Sequence, residues 1–317
     1  MHIKGWHFEI KRIFELALTV LLLLFSEFGL TQQNQEPYKY DLAICSIFKN
    51  EARFMREWIE FHKLVGVQHF YLYNNLSTDN YKELLEPYIA QNEVELFEWP
   101  YERPKGTKDT KIQVRAFNDV LQKTRRIAKW VAFLDLDEFL FPVQIDNLVT
   151  FLKDYEQYGG LCVNWATFGT SGVESIPENY VMIEYLTMAS ELDHKFNLHV
   201  KSIVRPDRVH KFVSPHYAAY NKGFSQVNSD KIHFDGPFSP YAAHSLIRIN
   251  HYYTRDIQWL LQKKMPDTIA FLSKNNEYKK QFEAIEWCLT AAKDFSIRKD
   301  EAILKYVQDL KKALANN

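Results

Sequence analysis

Trp130-Val131-Ala132-Phe133-Leu134-Asp135-Leu136-Asp137-Glu138-Phe139-Leu140 is an apolar, strand-favouring run that ends in acids at 135, 137 and 138. A strand alternates its side chains, so its geometry predicts that Asp135 and Asp137 project to the same side and Glu138 to the other, where it would brace the loop. Two carboxylates held side by side repel, and such a pair persists when a cation sits between them. Hard oxygen ligands suit Mg²⁺ or Mn²⁺, ions that bridge a site to substrate phosphates. Asp135 and Asp137 are therefore the candidate metal ligands and the centre of the candidate catalytic site.

The segments upstream place this run in a fold. Residues 42–48, 69–73, 94–99 and 129–134 read as short apolar strands. Between them lie helical patterns. The first is capped by Asn50 and carries Phe54, Trp58, Phe61 and Val65; the second is capped by Ser77 or Asp79 and runs through Tyr88. The third spans 110–128 with Ile112, Val114, Phe117 and Leu121 as its apolar positions. Strands alternating with helices predict an α/β sandwich with a mostly parallel sheet covered on both faces. Right-handed crossovers then bring the strand C-termini to one edge, where Asn50, Asn74, Asn75 and Asp135 gather around one crevice.

Beyond Pro142 the pattern loosens. A helix is expected over 147–155 and strands over 160–168, 181–188, 201–204 and 246–249, with long loops rich in Pro, His, Tyr and Asn between them. Helices are expected at 257–265, 277–293 and 300–315. The last carries an apolar stripe of Ile303, Val307, Leu310 and Leu314 that reads as packing onto the domain.

Composition narrows the function. The formal net charge of -1 over 317 residues argues against a bulk electrostatic grip on nucleic acid. Cys45, Cys162 and Cys288 form no CxxC pair, which argues against a structural zinc, and their odd number argues against a disulfide scaffold. Cys45 and Cys162 read as buried thiols.

At the N-terminus Lys4, Lys11 and Arg12 precede an apolar run at 16–25 that is shorter than the ~20 residues of a spanning helix. Residues 1–30 therefore read as a signal peptide or signal anchor, with its positive side cytoplasmic, in preference to an amphipathic leader packed on the domain. That reading implies membrane association or entry into the secretory pathway, with a soluble catalytic domain. The expected plan is this segment, a polar linker over 31–40, a catalytic domain over 41–270 and a helical extension over 271–317.

Other constellations fall around the same crevice. Asn50 and Glu51 open a helix N-terminus that favours anions. Asn75 and Asp79 lie in a polar turn after a strand and can read a base or ribose, although such residues are equally at home in plain turns. Lys201 and Arg205, on one strand, offer a point charge and a fork for phosphate oxygens. His251, a late imidazole, can complete a metal shell.

These segments together resemble glycosyltransferase family 92 and the closely related family 2-like enzymes. The motifs occur in one order: residues 43–51, 57–62, 66–67, 70–75, 133–140, 165–169, 201–206 and 249–254, so that the resemblance spans about 41 to 265. It implies a GT-A-like, Rossmann-type three-layer sandwich with C-terminal helices and a nucleotide-diphosphate sugar as donor. Asp135 and Asp137 match the family's metal-binding pair, and His251 matches a late metal-joining histidine. Asn50, Glu51 and the turn from Asn75 to Asp79 match the nucleotide side. It further implies transfer of a hexose, galactose in known members, to a glycan or other hydroxyl acceptor with inversion. Tyr73-Asn74-Asn75 departs from the pattern, in which Asp often follows the tyrosine; that residue bears on nucleotide choice. Inversion calls for a carboxylate base, for which Glu191, Asp193 and Asp235 lie in the loop-rich half. Two rivals stand beside this reading: a non-catalytic nucleotide-sugar or glycan-binding module on the same fold, and a phosphodiesterase or nucleotidyltransferase. The second ranks lower, because no HxH or HD pair accompanies Asp135.

Overall fold

In β1 (Tyr40–Phe48) Leu42 and Ile44 face one hydrophobic core while Ala43 and Cys45 face another. That division of alternate side chains follows from the pleat and makes the sheet the middle of three layers. The computed structural model describes residues 38–102, 111–272 and 278–316. The expected leader over 1–30 and most of the expected linker lie outside the described residues.

The strands continue as β2 (His69–Asn74), β3 (Val94–Glu98), β4 (Ala128–Phe133), β5 (Glu138–Pro142), β6 (Gly160–Thr167), β7 (Met188–Ala189) and β8 (Val200–Val204). They are followed by β9 (Val209–Ser214), β10 (Tyr217–Tyr220), β11 (Gln226–Val227), β12 (Ile247–His251) and β13 (Arg298–Lys299). Among the described residues the main sheet runs β3-β2-β1-β4-β8-β6-β12-β5, with β11 also paired to β6. The first four strands are parallel, β8 is antiparallel to both of its neighbours, β12 is parallel to β6, and β5 is antiparallel to β12. The sheet is thus mostly parallel, as the β/α alternation predicts. β9–β10 and β7–β13 form separate two-stranded ladders.

Helix α1 (Ala52–Leu64) buries Phe54, Trp58, Ile59 and Phe61 on one face of the sheet, and α3 (Lys111–Thr124) buries Ala116, Phe117, Val120 and Leu121 on the other. Between them in sequence, α2 (Tyr81–Ala90) covers β3 from the side of α1. Gly66, at φ +104°, ends α1 in a left-handed turn, with Gly66 N–H bonded to Lys63 O and Val67 N–H to His62 O.

Two side chains of α1 stitch it to β5. Trp58 Nε1 donates to Glu138 O at 2.8 Å. The His62 ring bridges Trp58 O (Nδ1, 2.8 Å) and Leu140 N–H (Nε2, 3.2 Å). Burial pushes the His62 imidazole down to about 3, so the ring is neutral, donating at Nδ1 and accepting at Nε2.

The second half departs from the sequence expectations in four places. Residues 138–142 form a strand of their own, β5, to which the sequence pattern assigned no separate element, because the glutamate that opens the strand hides its apolar character. Residues 181–188 hold a short helix, Met182–Tyr185, instead of a strand; buried Glu57 accepts from Met182 N at 2.8 Å and Ile183 N at 3.1 Å and so fixes that helix start. The helix at 257 turns through a π-helical stretch, Leu260–Lys264, and runs on into α4 (Met265–Leu272). Near the C-terminus α5 (Tyr278–Asp294) is followed by a 3₁₀ turn, Ala302–Tyr306, and α6 (Val307–Asn316).

Ile303, Tyr306, Val307 and Leu310 bury in the same core as α1, with Leu314 packed against it. The described residues form one compact unit, so the stripe packs on the domain as expected and does not stand apart. All three cysteines are free and buried.

Asp300 fastens the C-terminal segment to the sheet. Its carboxylate accepts from Arg248 of β12 (Nη1, 2.9 Å, and Nη2) and from Arg298 Nη2 at 2.8 Å. Burial alone would raise this carboxyl; the bonds and charge of Arg248, with Arg298, overcome it and bring it from 3.8 down to about 2. A depressed folded-state value contributes stability that is present above the unfolded value and lost as pH falls through the folded one. We expect the wild type to lose about 2 kcal/mol more than Asp300→Asn between pH 5 and pH 2, measured by denaturant unfolding. Parallel acid profiles for the two proteins would remove this anchor.

Candidate active site

The acids sit in a tight turn, not at the end of an extended strand. β4 stops at Phe133, Glu138 N–H bonds back to Asp135 O at 3.1 Å, and β5 starts at Glu138. The alternation argument therefore gives the wrong reason for the two aspartates facing one cleft: the turn puts both there, and both line it. The turn is held from behind by Tyr252 N–H to Asp137 O at 2.8 Å and by Glu138 Oε2, which accepts from Asp135 N at 2.8 Å. Glu138 thus braces the loop as its position suggested.

The two aspartates have different partners. Asp135 Oδ2 lies 2.7 Å from Lys201 Nζ, and its Oδ1 accepts from Gln113 Nε2 at 2.7 Å. Lys201 is fully buried and also sits 3.5 Å from Glu138 Oε2. Asp137 is freer: Oδ1 is 3.5 Å from His251 Nε2, and Oδ2 is 3.7 Å from Lys264 Nζ.

Burial pushes both aspartates up. The neighbouring charges outweigh it, Lys201 at Asp135 and His251, Lys264 and Arg255 at Asp137, and hold both below the usual carboxylate range. Glu138 goes the other way: it is buried beside two acids and its carboxyl is raised well above its ordinary value.

Asp137, Glu138 and His251 present ligand atoms within 4.8 Å of one another. Glu138 Oε1 and His251 Nδ1 are buried without a hydrogen-bond partner, an arrangement that costs free energy unless something fills it. Two carboxylates and an imidazole are a donor set that suits Mn²⁺ or Mg²⁺, and the nitrogen tilts it toward Mn²⁺. The residues present therefore fit such an ion. The closest-knit ligand set includes Glu138, which sequence reasoning assigned to bracing alone, while both oxygens of Asp135 are engaged by Lys201 and Gln113.

The cleft has a volume of about 1810 Å³ and lies at the C-terminal ends of β1, β2 and β4, as the topology requires. Glu51 and Asn75 line it. Glu51 Oε2 is 2.6 Å from Arg255 Nη1, and Asn75 Nδ2 donates to Trp99 O and Tyr101 O, both at 2.9 Å.

Asn50 stands behind the wall. It has a left-handed φ of 54°, and its Oδ1 accepts from Thr78 N at 2.7 Å, fastening the two strand-end loops together. Asp79 Oδ2 accepts from Ala52 N at 2.8 Å, so it caps α1 from the neighbouring loop and is absent from the cleft lining. Arg205 also lies elsewhere, with Nη2 3.3 Å from Tyr38 Oη, Nε 3.5 Å from Asp207 Oδ1 and its guanidinium over the Trp130 ring. Lys201 reaches the site from below, as a partner of the acids. Glu191, Asp193 and Asp235 are exposed and do not line the cleft.

Sequence reasoning missed Lys264, Arg255, His216 and Trp287, which all line the cleft. Lys264 lies on the π-helical stretch, a local irregularity common at functional sites, and its ammonium sits 3.9 Å above the Tyr253 ring. Arg255 has φ +52° and Leu76 +61°, so strained backbone gathers at this rim. The residue pair 263–264 in an amphipathic helix was the available signal; nothing local marks the others.

An acid turn at the sheet's C-terminal edge, an adjoining histidine and the cationic side chains of Lys264 and Arg255 line one cleft. Residues 39–233 match glycosyltransferase family 92, and the chain belongs to that family. A glycosyltransferase family 92 protein of Ricinus communis is 28% identical over 220 residues, 67% of this chain and 35% of that protein. The galactan β-1,4-galactosyltransferase GALS2 of Arabidopsis thaliana is 32% identical over 143 residues, 42% of this chain and 27% of that protein. The chain spans about a third of the length of the curated relatives it matches. The crystal structure of S. aureus TarS aligns with 87% of this chain and 53% of that chain at 12% identity and a TM-score of 0.36.

Proposed function

We propose that this glycosyltransferase is a metal-dependent hexosyltransferase that takes its sugar, with galactose the leading candidate, from a nucleoside-diphosphate donor and passes it with inversion to a glycan or other hydroxyl acceptor. The observation that carries this reading is the cluster of Asp137, Glu138 and His251, of which Asp137 and His251 line the strand-end cleft beside Asp135. The similarity to the galactan β-1,4-galactosyltransferase GALS2 supports galactose.

Asp137 and His251, with Glu138 or Asp135, would hold Mn²⁺ or Mg²⁺, and the ion when bound would neutralise the departing diphosphate. Lys264 and Arg255 place two further positive charges on the same wall, suited to the same developing charge. Glu51 holds Arg255 in place. Lys201 supplies a buried counter-charge that keeps Asp135 and Glu138 in one turn. The base for inversion belongs among the carboxylates that line the cleft beyond the acid turn and are not paired to Arg255, namely Glu102 and Asp267.

Among the described residues no helix is long and apolar enough to cross a membrane. Membrane association or secretory targeting is proposed for residues 1–30 on their charge and apolar pattern alone, and the division at 270 into domain and helical extension is likewise a proposal.

The test is a panel of nucleotide sugars with Mn²⁺, read as released nucleoside diphosphate. Turnover of a UDP-hexose that falls by about 100-fold or more in chelator is the expected result. Tight donor binding without turnover, across a broad set of acceptors, would instead make the chain a binding module.

A further inference from the structure

The acid turn at the end of β4 divides the cleft. On the side of β1 and β2 the lining mixes Lys49, Glu51 and Asn75 with Ile47, Phe48 and Leu76; on the side of β6 and β12 it is aromatic, with Trp165, Phe196, His216, Tyr253 and Trp287. Tyr253 and Trp287 are half-buried, lie outside both hydrophobic cores and pack beside Phe196 at the rim of the first. They are fixed to each other by Trp287 Nε1, which donates to Tyr253 Oη at 3.0 Å, and Phe196 abuts Trp287 with ring centroids 5.5 Å apart.

The polar atoms of this wall carry unused capacity. Trp165 has His199 stacked at 4.8 Å and His251 at 4.3 Å, yet its Nε1–H is buried without an acceptor. His216 directs Nδ1 to Val200 O at 3.0 Å; that bond requires the proton at Nδ1 and leaves Nε2 as an acceptor. The Tyr253 hydroxyl, accepting from Trp287, keeps its own proton to donate.

We infer that this wall is a pyranose-binding subsite, the acceptor side of the enzyme, with the sugar ring laid on Trp287 and its hydroxyls bonded to the unused groups of Trp165, His216 and Tyr253. A pyranose offers an apolar C–H face together with hydroxyls that both donate and accept, which is what an aromatic wall with two spare donors and one spare acceptor selects. An acyl chain would leave the Trp165 N–H unpaired. A phosphate is drawn to Arg255, which donates to Leu136 O of the acid turn, and to Lys264, which lies between Asp137 and the Tyr253 ring at the edge of the wall. The inference rests on the glycosyltransferase reading for the word acceptor; the subsite itself rests on the wall.

The test is saturation-transfer NMR of the full chain with methyl β-galactopyranoside and methyl β-glucopyranoside, with acyclic galactitol as control. Trp287→Ala is expected to weaken pyranoside binding by about tenfold or more, and Trp287→Phe to restore it to within about threefold of wild type. Should Trp287→Ala fail to fold by thermal melting, His216→Ala is the second variant, with an expected loss of about fivefold for one hydrogen bond. Pyranoside binding unchanged in the folded variants, no pyranoside binding by the wild type, or equal saturation of galactitol each overturn the subsite. Mn²⁺-dependent binding of uridine diphosphate by the wild type is measured in parallel. Its absence would end the glycosyltransferase reading, while pyranoside binding through Trp287 would still establish the subsite.

Discussion

Replacing Asp137 by asparagine is expected to cut Mn²⁺-stimulated release of diphosphate from a nucleotide sugar by about 10²–10³-fold, the loss that follows removal of a main charge-stabilising group. The thermal midpoint should stay within a few degrees of wild type. The reason lies in the different duties of the two aspartates. Asp137 makes no close contact that the fold needs: its oxygens stand 3.5 Å from His251 and 3.7 Å from Lys264. Its main-chain carbonyl, which Tyr252 N–H does need, is untouched by the substitution. An amide keeps the shape and loses the charge that a cation requires. A variant that turned over donor at the wild-type rate would eliminate the metal mechanism; one that unfolded would mean that Asp137 is structural.

Lys201→Ala is expected to do the opposite, with a large effect on stability. The ammonium is fully buried, 2.7 Å from Asp135 and 3.5 Å from Glu138. Burial works against its charge, but Asp135 and Glu138 more than compensate and raise its proton affinity. Its removal leaves two acids in one turn with no counter-charge between them. Breaking a buried pair in this way costs about 3–5 kcal/mol, and in a domain of this size that corresponds to a fall of roughly 10 °C in the midpoint. Adding Glu138→Gln to the same chain removes one of the stranded acids and should recover part of the loss, which separates an electrostatic cause from simple cavity formation. A cost below about 1 kcal/mol would show that the acids do not need Lys201.

The part of the fold up to residue 134 was legible because its two periodicities are clean. Phe54, Trp58 and Phe61 sit on one face of α1, and β1 alternates between two cores. The acid run faces the cleft, but not for the reason its alternation suggested. Asp135 and Asp137 face the cleft because a turn closes between Asp135 and Glu138, and a turn between two strands leaves little trace in a hydrophobic pattern. β5 stayed hidden for the same cause: a strand that opens on a buried glutamate just after a turn is not set off from the run before it.

The site itself was legible only where residue type is distinctive, at the acids and at His251. Lys264 reaches Asp137 across more than a hundred residues, Trp165 meets His251 through the pairing of β6 with β12, and such approaches have no local signature. Asp79 and Arg205 show the converse. Each is the right type for a nucleotide site, and each is used instead to cap a helix or to cover Trp130. Short polar residues serve turns and ligands equally well, and sequence cannot rank the two uses.

Electron paramagnetic resonance of Mn²⁺ titrated into the protein with uridine diphosphate reads the central claim without depending on any sugar or acceptor. One bound Mn²⁺ per chain in the wild type and none at the same concentrations in Asp137→Asn is the result the geometry predicts. Wild-type protein that binds no Mn²⁺, or an asparagine variant that binds it as well as wild type, would contradict the assignment of this turn as a metal–diphosphate site.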